Sequence, residues 1–134
     1  MELLPELEAL RGFHGHLGVY VTVGLRMGEI GRRTLGPYKG LTASVTCRSE
    51  PPMLCVVDGV QFSSGCTMGK GNISITAGEN PEVVFAKAGR SVRIALRSGW
   101  RERIDREMSK EHEVEQSLFY FRAPEAELFD IVEG

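Results

Sequence analysis

Histidine and cysteine side chains are the residues of this chain best suited to chemistry, and they occur in two clusters. The first cluster is Phe13-His14-Gly15-His16, which contains two of the three histidines. In an extended segment, residues two apart point to the same side, about 6.6–7 Å apart along the chain, so His14 and His16 can address one site. A neutral imidazole is a common metal ligand and a general base near neutral pH. The pattern therefore indicates a metal or acid–base site, with a loop or interface role as the alternative interpretation.

The second cluster surrounds a short predicted helix over 53–62. Cys55 lies in its first turn, where the partial positive charge of a helix N-terminus stabilises a thiolate. Asp58 follows three residues later and shares the face of Cys55. Cys66 comes after the helix stop, in a turn that can fold back towards Cys55. The ten residues between the two cysteines exclude a C-x-x-C zinc ribbon or redox motif, and either cysteine alone is also compatible with simple packing.

A glycine-rich loop, Gly65-Cys66-Thr67-Met68-Gly69-Lys70-Gly71-Asn72, follows this helix. It differs from a phosphate-binding P-loop because three residues, not four, separate the first glycines, and Gly71 replaces the magnesium-binding hydroxyl. It also connects a helix to a strand, whereas a P-loop connects a strand to a helix. These differences exclude a nucleotide cofactor. We expect Lys70, Asn72 and the loop amides to bind an anionic or carbonyl group of a substrate beside Cys66.

The composition limits the class of protein that carries these clusters. The chain has 134 residues, of which 42% are apolar and 25% charged, as expected for one globular domain over residues 1–134. A net charge of -2 argues against nucleic acid or an anionic membrane as a partner. The sequence has no apolar stretch of membrane-spanning length and an acidic start unlike a secretion signal, so we expect a cytoplasmic protein. Three cysteines in that compartment argue against a disulfide framework, and Cys47, on a predicted strand, is assigned to packing.

The predicted elements do not follow the regular strand–helix–strand order of doubly wound folds, so the pattern predicts an α+β fold with an antiparallel sheet packed against helices. Helices are predicted over 3–10, 17–35, 53–62 and 100–121, with a last short helix from 124, and strands over 41–47, 72–77, 82–88 and 91–97. We expect hairpins to connect the last three strands. Apolar residues of the last helix should dock on the core or on a second subunit.

Three glycines, Gly24, Gly28 and Gly31, lie on one side of the second predicted helix. Each glycine inside a helix costs about 0.8–1 kcal/mol relative to alanine. Their shared side predicts that another element packs against this helix with its backbone unusually close.

Taken together and in this order, four motifs resemble the FmdE family of formylmethanofuran dehydrogenase subunits. They are Phe13-His14-Gly15-His16, Gly24-Leu25-Arg26-Met27-Gly28, Cys55-x-x-Asp58-x-x-Gln61 and Gly65-Cys66-Thr67-x-Gly69-Lys70-Gly71-Asn72. The resemblance implies an α+β core that forms a homodimer, with a cysteine and histidine pocket that holds a transition metal such as zinc. It also implies a link to one-carbon metabolism of the methanogenesis type.

Position for position, the resemblance makes His16, Cys55 and Cys66 pocket residues, with His14, Asp58 and Gln61 beside them. The chain departs from the family pattern H-G-H-x-C-P, because Gly18 and Val19 stand where the cysteine and proline belong. No cysteine follows Cys66, so we expect the core pocket, and not a C-terminal zinc finger, to carry the function.

The leading hypothesis is a metal-binding protein in which His16, Cys55 and Cys66, with His14 as a further candidate, hold the metal. Two thiolates and one imidazole leave a fourth position for water or substrate, as in catalytic zinc sites. Asp58 would then orient a ligand or transfer protons. Gln61, Lys70 and Asn72 are the candidate substrate-binding residues.

Two other hypotheses stay open. In one, Cys66 is a nucleophile activated by His16, and Lys70 stabilises an oxyanion during acyl or formyl transfer. In the other, the chain is an accessory or assembly subunit of a larger oxidoreductase complex and has no chemistry of its own.

Overall fold

The computed structural model of this protein describes residues 3–134 as an α+β fold built on one mixed sheet. The helices are α1 (Pro5–His14), α2 (Val19–Leu35), α3 (Val56–Ser64), α4 (Trp100–Glu107), α5 (Glu113–Arg122) and α6 (Glu125–Leu128). The strands are β1 (Thr42–Cys47), β2 (Ile73–Ala77), β3 (Glu82–Lys87), β4 (Arg90–Leu96) and β5 (Phe129–Glu133). Short 3₁₀ turns, Met53–Cys55 and Lys110–His112, precede α3 and α5. The predicted α+β class is confirmed.

One face of the sheet forms the core. Ala43 of β1, Phe85 of β3 and Val92 of β4 are opposite one another in register, and all three are buried. Their neighbours along each strand point to the other face and are more exposed. The buried face packs against α2, most of whose residues are buried. Cys47 is completely buried in this core, as predicted, and burial raises the pKa of its thiol.

The order of the strands is β2-β1-β3-β4-β5, and β2 runs parallel to β1. The prediction of a hairpin between β2 and β3 is therefore wrong, because β1 lies between them. Asn72 aligns the two parallel strands: its carbonyl accepts the Ala43 N–H (3.0 Å), and its side-chain amide donates to the Leu41 carbonyl (3.3 Å). The β3–β4 hairpin forms as predicted, through Ala88 and Gly89, which both have positive φ.

The C-terminal segment differs from the prediction of a helix. Only Glu125–Leu128 is helical, and Phe129–Glu133 forms the edge strand β5, antiparallel to β4. Leu128 and Phe129 are buried in the core, as the apolar pattern predicts. The alternation of Phe129, Asp130 and Ile131 suits a strand that pairs with the open edge of β4, and this pairing replaces the helical hydrogen bonds.

The predicted helix over 100–121 is divided into α4 and α5. The break follows Glu107, where Met108 is extended, and Ser109 caps the next turn by accepting the His112 N–H (3.3 Å). Gln116 fixes the connection, because its side chain donates to the Glu107 carbonyl (2.8 Å) and accepts the Ser109 N–H (3.2 Å). The break brings residues 108–110 and Glu113 to the same cavity as the end of α1 and the start of α2.

The glycines of α2 allow the close approach that the sequence predicts. A β-carbon on Gly24 would overlap the backbone carbonyl of Val56, and one on Gly59 of α3 would overlap the carbonyl of Val21. A β-carbon on Gly31 would overlap the ring of Phe85. The helices α2 and α3 therefore pack backbone against backbone, whereas α2 meets the sheet at Gly31 through the Phe85 side chain.

Arg26 joins α2 to the end of α5. Its Nη1 donates to the carbonyls of Tyr120 (2.7 Å), Phe121 (2.9 Å) and Ala123 (2.9 Å), which a helix C-terminus leaves without partners. Among the described residues, no helix has the length and apolar character needed to cross a membrane.

Candidate functional site

His14 and Asp58 form the central pair of the candidate site. His14 is the last residue of α1, which ends at Gly15 in a left-handed conformation (φ 103°). Its Nδ1 lies 2.6 Å from Oδ2 of Asp58, in the first turn of α3. A carboxylate at this distance selects the tautomer that carries its proton on Nδ1. Nε2, on the other side of the ring, is buried and has no hydrogen-bond partner. The pair thus leaves Nε2 with a lone pair for a ligand.

His14 lines a cavity of about 270 Å³ between the α1–α2 connection, the start of α3 and the α4–α5 connection. His16 and Cys55 line the same cavity. The remaining walls are mostly apolar, with a few polar groups at the α5 side; they include Val19, Tyr20, Pro52, Met108, Lys110 and Glu113. Such a mostly apolar cavity with few polar groups is typical of a small-molecule or metal site.

His16 lies at the open side of this cavity, with 57% of its side chain exposed. Its Nδ1 is 2.5 Å from the Leu17 carbonyl and 3.5 Å from Oε1 of Glu113. The centres of the His14 and His16 rings are 4.7 Å apart. The predicted proximity of the two imidazoles is therefore present, across the turn that ends α1.

Cys55 lies immediately before α3 and is partly buried. Desolvation by burial raises the pKa of its thiol, and the negative charge of Asp58 raises it further. The net direction is opposite to the expected stabilisation of a thiolate, because the backbone hydrogen bond that lowers the pKa of Cys55 is the smallest of these three causes. Without a metal, Cys55 is a neutral thiol at pH 7.

Cys66 lies apart from the other candidates. The nine residues of α3 separate it from Cys55, a span of about 14 Å along the helix axis. Cys66 is fully buried, its Sγ is 3.5 Å from the Leu41 carbonyl, and burial is the main reason that its pKa is raised. It does not line the cavity with His16. The sequence-based expectation that Cys66 folds back towards Cys55 thus does not describe this structure, because α3 lies between the two cysteines and Cys66 is buried beside Leu41.

The glycine-rich loop, expected to bind a substrate group beside Cys66, lies apart from the cavity that His14 lines. Lys70 Nζ donates to the Gly65 carbonyl (3.0 Å) and lies 4.8 Å from the centre of the Tyr38 ring. The Asn72 side chain accepts the Thr67 N–H (2.8 Å). These polar groups hold the loop together, and neither Lys70 nor Asn72 lines the cavity.

Gln61 also lies outside the cavity lining, on the far side of Asp58. Its Nε2 is 3.3 Å from Oδ1 of Asp58, and its Oε1 accepts the Met68 N–H (2.9 Å). Substrate binding by Gln61 stays a prediction, and the contacts described here connect Gln61 to Asp58 and to the loop.

Sequence reasoning missed several residues of the cavity. Tyr20 lines it, although the helical pattern assigns Tyr20 only to the core, and its hydroxyl donates to Asp105 (2.6 Å). Glu113 and Lys110 belong to a charge-dense segment without a distinguishing motif. Glu113 could have been identified from Ser109, a helix-capping residue type that breaks the predicted helix and turns this segment towards His16.

The histidines and Cys55 do not form a finished metal site in this conformation. Within residues 3–134, no three His, Cys, Asp or Glu side chains are arranged as a group that holds a metal ion. The donor types are nevertheless those that zinc prefers, two imidazoles and a thiol, with a carboxylate behind one imidazole. The buried Nε2 of His14 without a partner is the feature that suits a metal or ligand.

One family model matches most of the chain. The sequence model of a family described as "FmdE, Molybdenum formylmethanofuran dehydrogenase operon" matches residues 13–131. A curated relative, the "Probable S-adenosyl-L-methionine-binding protein" of Archaeoglobus fulgidus, is 32% identical over 109 residues, which cover 74% of this chain and 28% of that protein. The chain thus spans little more than a quarter of this relative's length.

Among solved structures, an FmdE-like protein of the tungsten formylmethanofuran dehydrogenase type, from Syntrophus aciditrophicus, has a similar fold. The TM-score is 0.65 at 19% identity, and the match covers 96% of this chain and 69% of that chain. At this identity the similarity supports the fold alone.

Proposed function

Because the chain belongs to the FmdE family, we propose that it is a metal-binding protein that holds a transition metal, zinc first, in the cavity beside His14. The observation that carries this proposal is the His14–Asp58 pair, which leaves a buried Nε2 without a partner. Metal-bound histidines usually have their second ring nitrogen bonded to a carboxylate or carbonyl in this way.

His14 Nε2, His16 and the Cys55 sulfur would hold the metal. This set replaces the sequence-based set that included Cys66, because Cys66 lies at the opposite end of α3. The His16 side chain is mostly exposed, so its ring can turn to bring a nitrogen to the metal that His14 and Cys55 would hold. Three protein ligands leave a position for water or substrate, where a bound zinc acts as a Lewis acid.

Cys55 makes metal binding dependent on pH. Burial and Asp58 raise the pKa of its thiol, and a metal binds the thiolate, so binding releases a proton. Metal affinity should therefore increase as pH rises through the neutral range.

Metal titration of the purified protein under reducing conditions tests the proposal. We expect about one equivalent of Zn²⁺ or Co²⁺, and with Co²⁺ a sulfur-to-metal absorption band. Cys55→Ala and His14→Ala should abolish tight binding, whereas the matched variant Cys66→Ala should retain it. No bound metal in the wild-type protein, or loss of binding only in Cys66→Ala, would refute the proposal.

Binding of S-adenosylmethionine in the same cavity is a second candidate function. Its support is the Archaeoglobus relative named for this ligand, together with the mostly apolar cavity walls. Calorimetric titration with S-adenosylmethionine, with and without Zn²⁺, separates the two candidates. Saturable binding that Val19→Trp abolishes, in protein without metal, would favour the second candidate over the first.

We also propose, from family membership, that the chain works beside a larger oxidoreductase of one-carbon metabolism and forms a homodimer. Co-purification from the native source and light scattering of the isolated chain test these two statements. If turnover of the co-purified complex is unchanged in Cys55→Ala, an accessory role without chemistry is favoured.

A further inference from the structure

We infer that Gln61 is a positioning residue, which holds Asp58 so that His14 keeps its proton on Nδ1 and offers Nε2 to the cavity. The inference rests on the proposed function, since it assumes that Nε2 of His14 is the atom that a metal or ligand uses. Gln61 itself does not line the cavity.

The orientation of the Gln61 amide follows from its two partners. The Met68 backbone N–H can only donate, so the amide oxygen of Gln61 must face it, at 2.9 Å. The amide NH₂ then faces Oδ1 of Asp58, at 3.3 Å. Gln61 is one helical turn beyond Asp58 on α3, which keeps the two side chains adjacent.

This contact adds a second restraint to a carboxylate that His14 already holds through Oδ2. The Asp58 side chain is 40% exposed, whereas that of His14 is only 9% exposed. With Oδ1 held by Gln61 and Oδ2 by His14, both oxygens of Asp58 have protein partners. Three links thus connect the loop amide of Met68 to the buried imidazole, and each orients the next.

Gln61→Glu tests this chain of contacts at one link. A glutamate keeps the length of the side chain and an oxygen that accepts the Met68 N–H. It replaces the amide donor by a negative charge, so Oδ1 of Asp58 loses its partner and the carboxylate is free to rotate relative to the His14 ring. If Gln61 only holds the loop, Gln61→Glu should leave the tautomer of His14 unchanged. If Gln61 positions Asp58, the tautomer should change.

The deciding measurement is the tautomer of the neutral His14 ring, from ¹⁵N chemical shifts of the metal-free protein recorded at about pH 8. In the wild type we expect one tautomer, with the proton on Nδ1, and in Gln61→Glu a mixture of both. Zinc affinity measured on the same samples should be about 10–100-fold weaker in the variant. The control is Lys39→Gln, at an exposed position. It lowers the net charge by the same amount as Gln61→Glu and should behave as the wild type.

A wild-type protein with a mixed tautomer, or a Gln61→Glu variant with the wild-type tautomer, overturns the inference. If Gln61→Glu fails to fold, Gln61→Met, which keeps the volume and lacks both hydrogen bonds, is judged by the same tautomer criterion. Failure of the wild type to bind zinc would refute the proposed metal function, whereas the tautomer of the metal-free protein still decides the role of Gln61.

Discussion

Glu29 of α2 carries a charge that the folded protein disfavours. It faces Glu6 of α1, and one of its oxygens is buried without a hydrogen-bond partner. Burial is the main cause that raises the pKa of Glu29 from 4.5 to about 7, and Glu6 adds to it, while Arg26 and Arg33 oppose the shift. Replacement of Glu29 by glutamine removes the titration and keeps the shape of the side chain.

The sign of the effect follows from proton binding. Between pH 4.5 and about 7 the folded protein holds a proton on Glu29 that the unfolded chain has released. The free energy of unfolding therefore falls as pH rises through this range and is lowest above about pH 7. The shift corresponds to at most about 3 kcal/mol, and because solvent screens a half-buried group, we expect about 1–2 kcal/mol.

Urea unfolding of the wild type and Glu29→Gln, at several pH values from about 5 to 8.5, measures this difference. The variant should be more stable than the wild type by about 1–2 kcal/mol at about pH 8.5, and the advantage should vanish near about pH 5. Glu50→Gln, at an exposed position, should show no such pH-dependent difference. If the Glu29→Gln difference is the same at every pH, the proton on Glu29 is not the cause and the reasoning fails.

Three further predictions concern packing and thiol access. Arg26→Met should lower the free energy of unfolding by about 3 kcal/mol in urea titrations, because it leaves three carbonyls at the end of α5 without their donor, and Arg26→Lys should restore part of it. Gly59→Ala should lower the free energy of unfolding by about 1–3 kcal/mol or more, since its β-carbon would overlap backbone atoms of α2. Gly12→Ala, in α1 where a β-carbon meets open space, should raise the free energy of unfolding by about 0.5–1 kcal/mol. In the native state a thiol reagent should label Cys55 and leave the fully buried Cys66 unmodified, and equal labelling would contradict the cavity assignment.

The sequence predicts the local elements better than their partners. The apolar periods of α2 and of the strands indicate the α+β class, and the glycines of α2 predict a close neighbour. The pairing of β2 with β1 is not visible in the sequence pattern, because it depends on Asn72 meeting residues 41 and 43 about thirty positions away. The strand β5 likewise forms because β4 offers an open edge, which is a property of the whole sheet.

The separation of Cys66 from Cys55 could not be predicted from the sequence alone. The predicted helix over 53–62 places its two ends more than about 10 Å apart, since a helix rises about 1.5 Å per residue, but the four residues that follow it are long enough to fold back towards Cys55. Motif similarity groups Cys55 with Cys66, although a rigid element between them keeps them apart. The point where α3 ends, two residues later than predicted, and the course of the chain after it decide that Cys66 does not join a ligand set with Cys55.

The His14–Asp58 pair depends on the same glycine contact that packs α3 on α2. Asp58 precedes Gly59, whose α-carbon lies against the backbone of α2 around Val21. The four residues that connect α1 to α2, 15–18, fix the end of α1 close to that point. The distance between His14 and Asp58, 44 residues apart in sequence, is thus set by how closely two backbones approach. Glycines outside the cavity lining consequently determine where the buried imidazole lies.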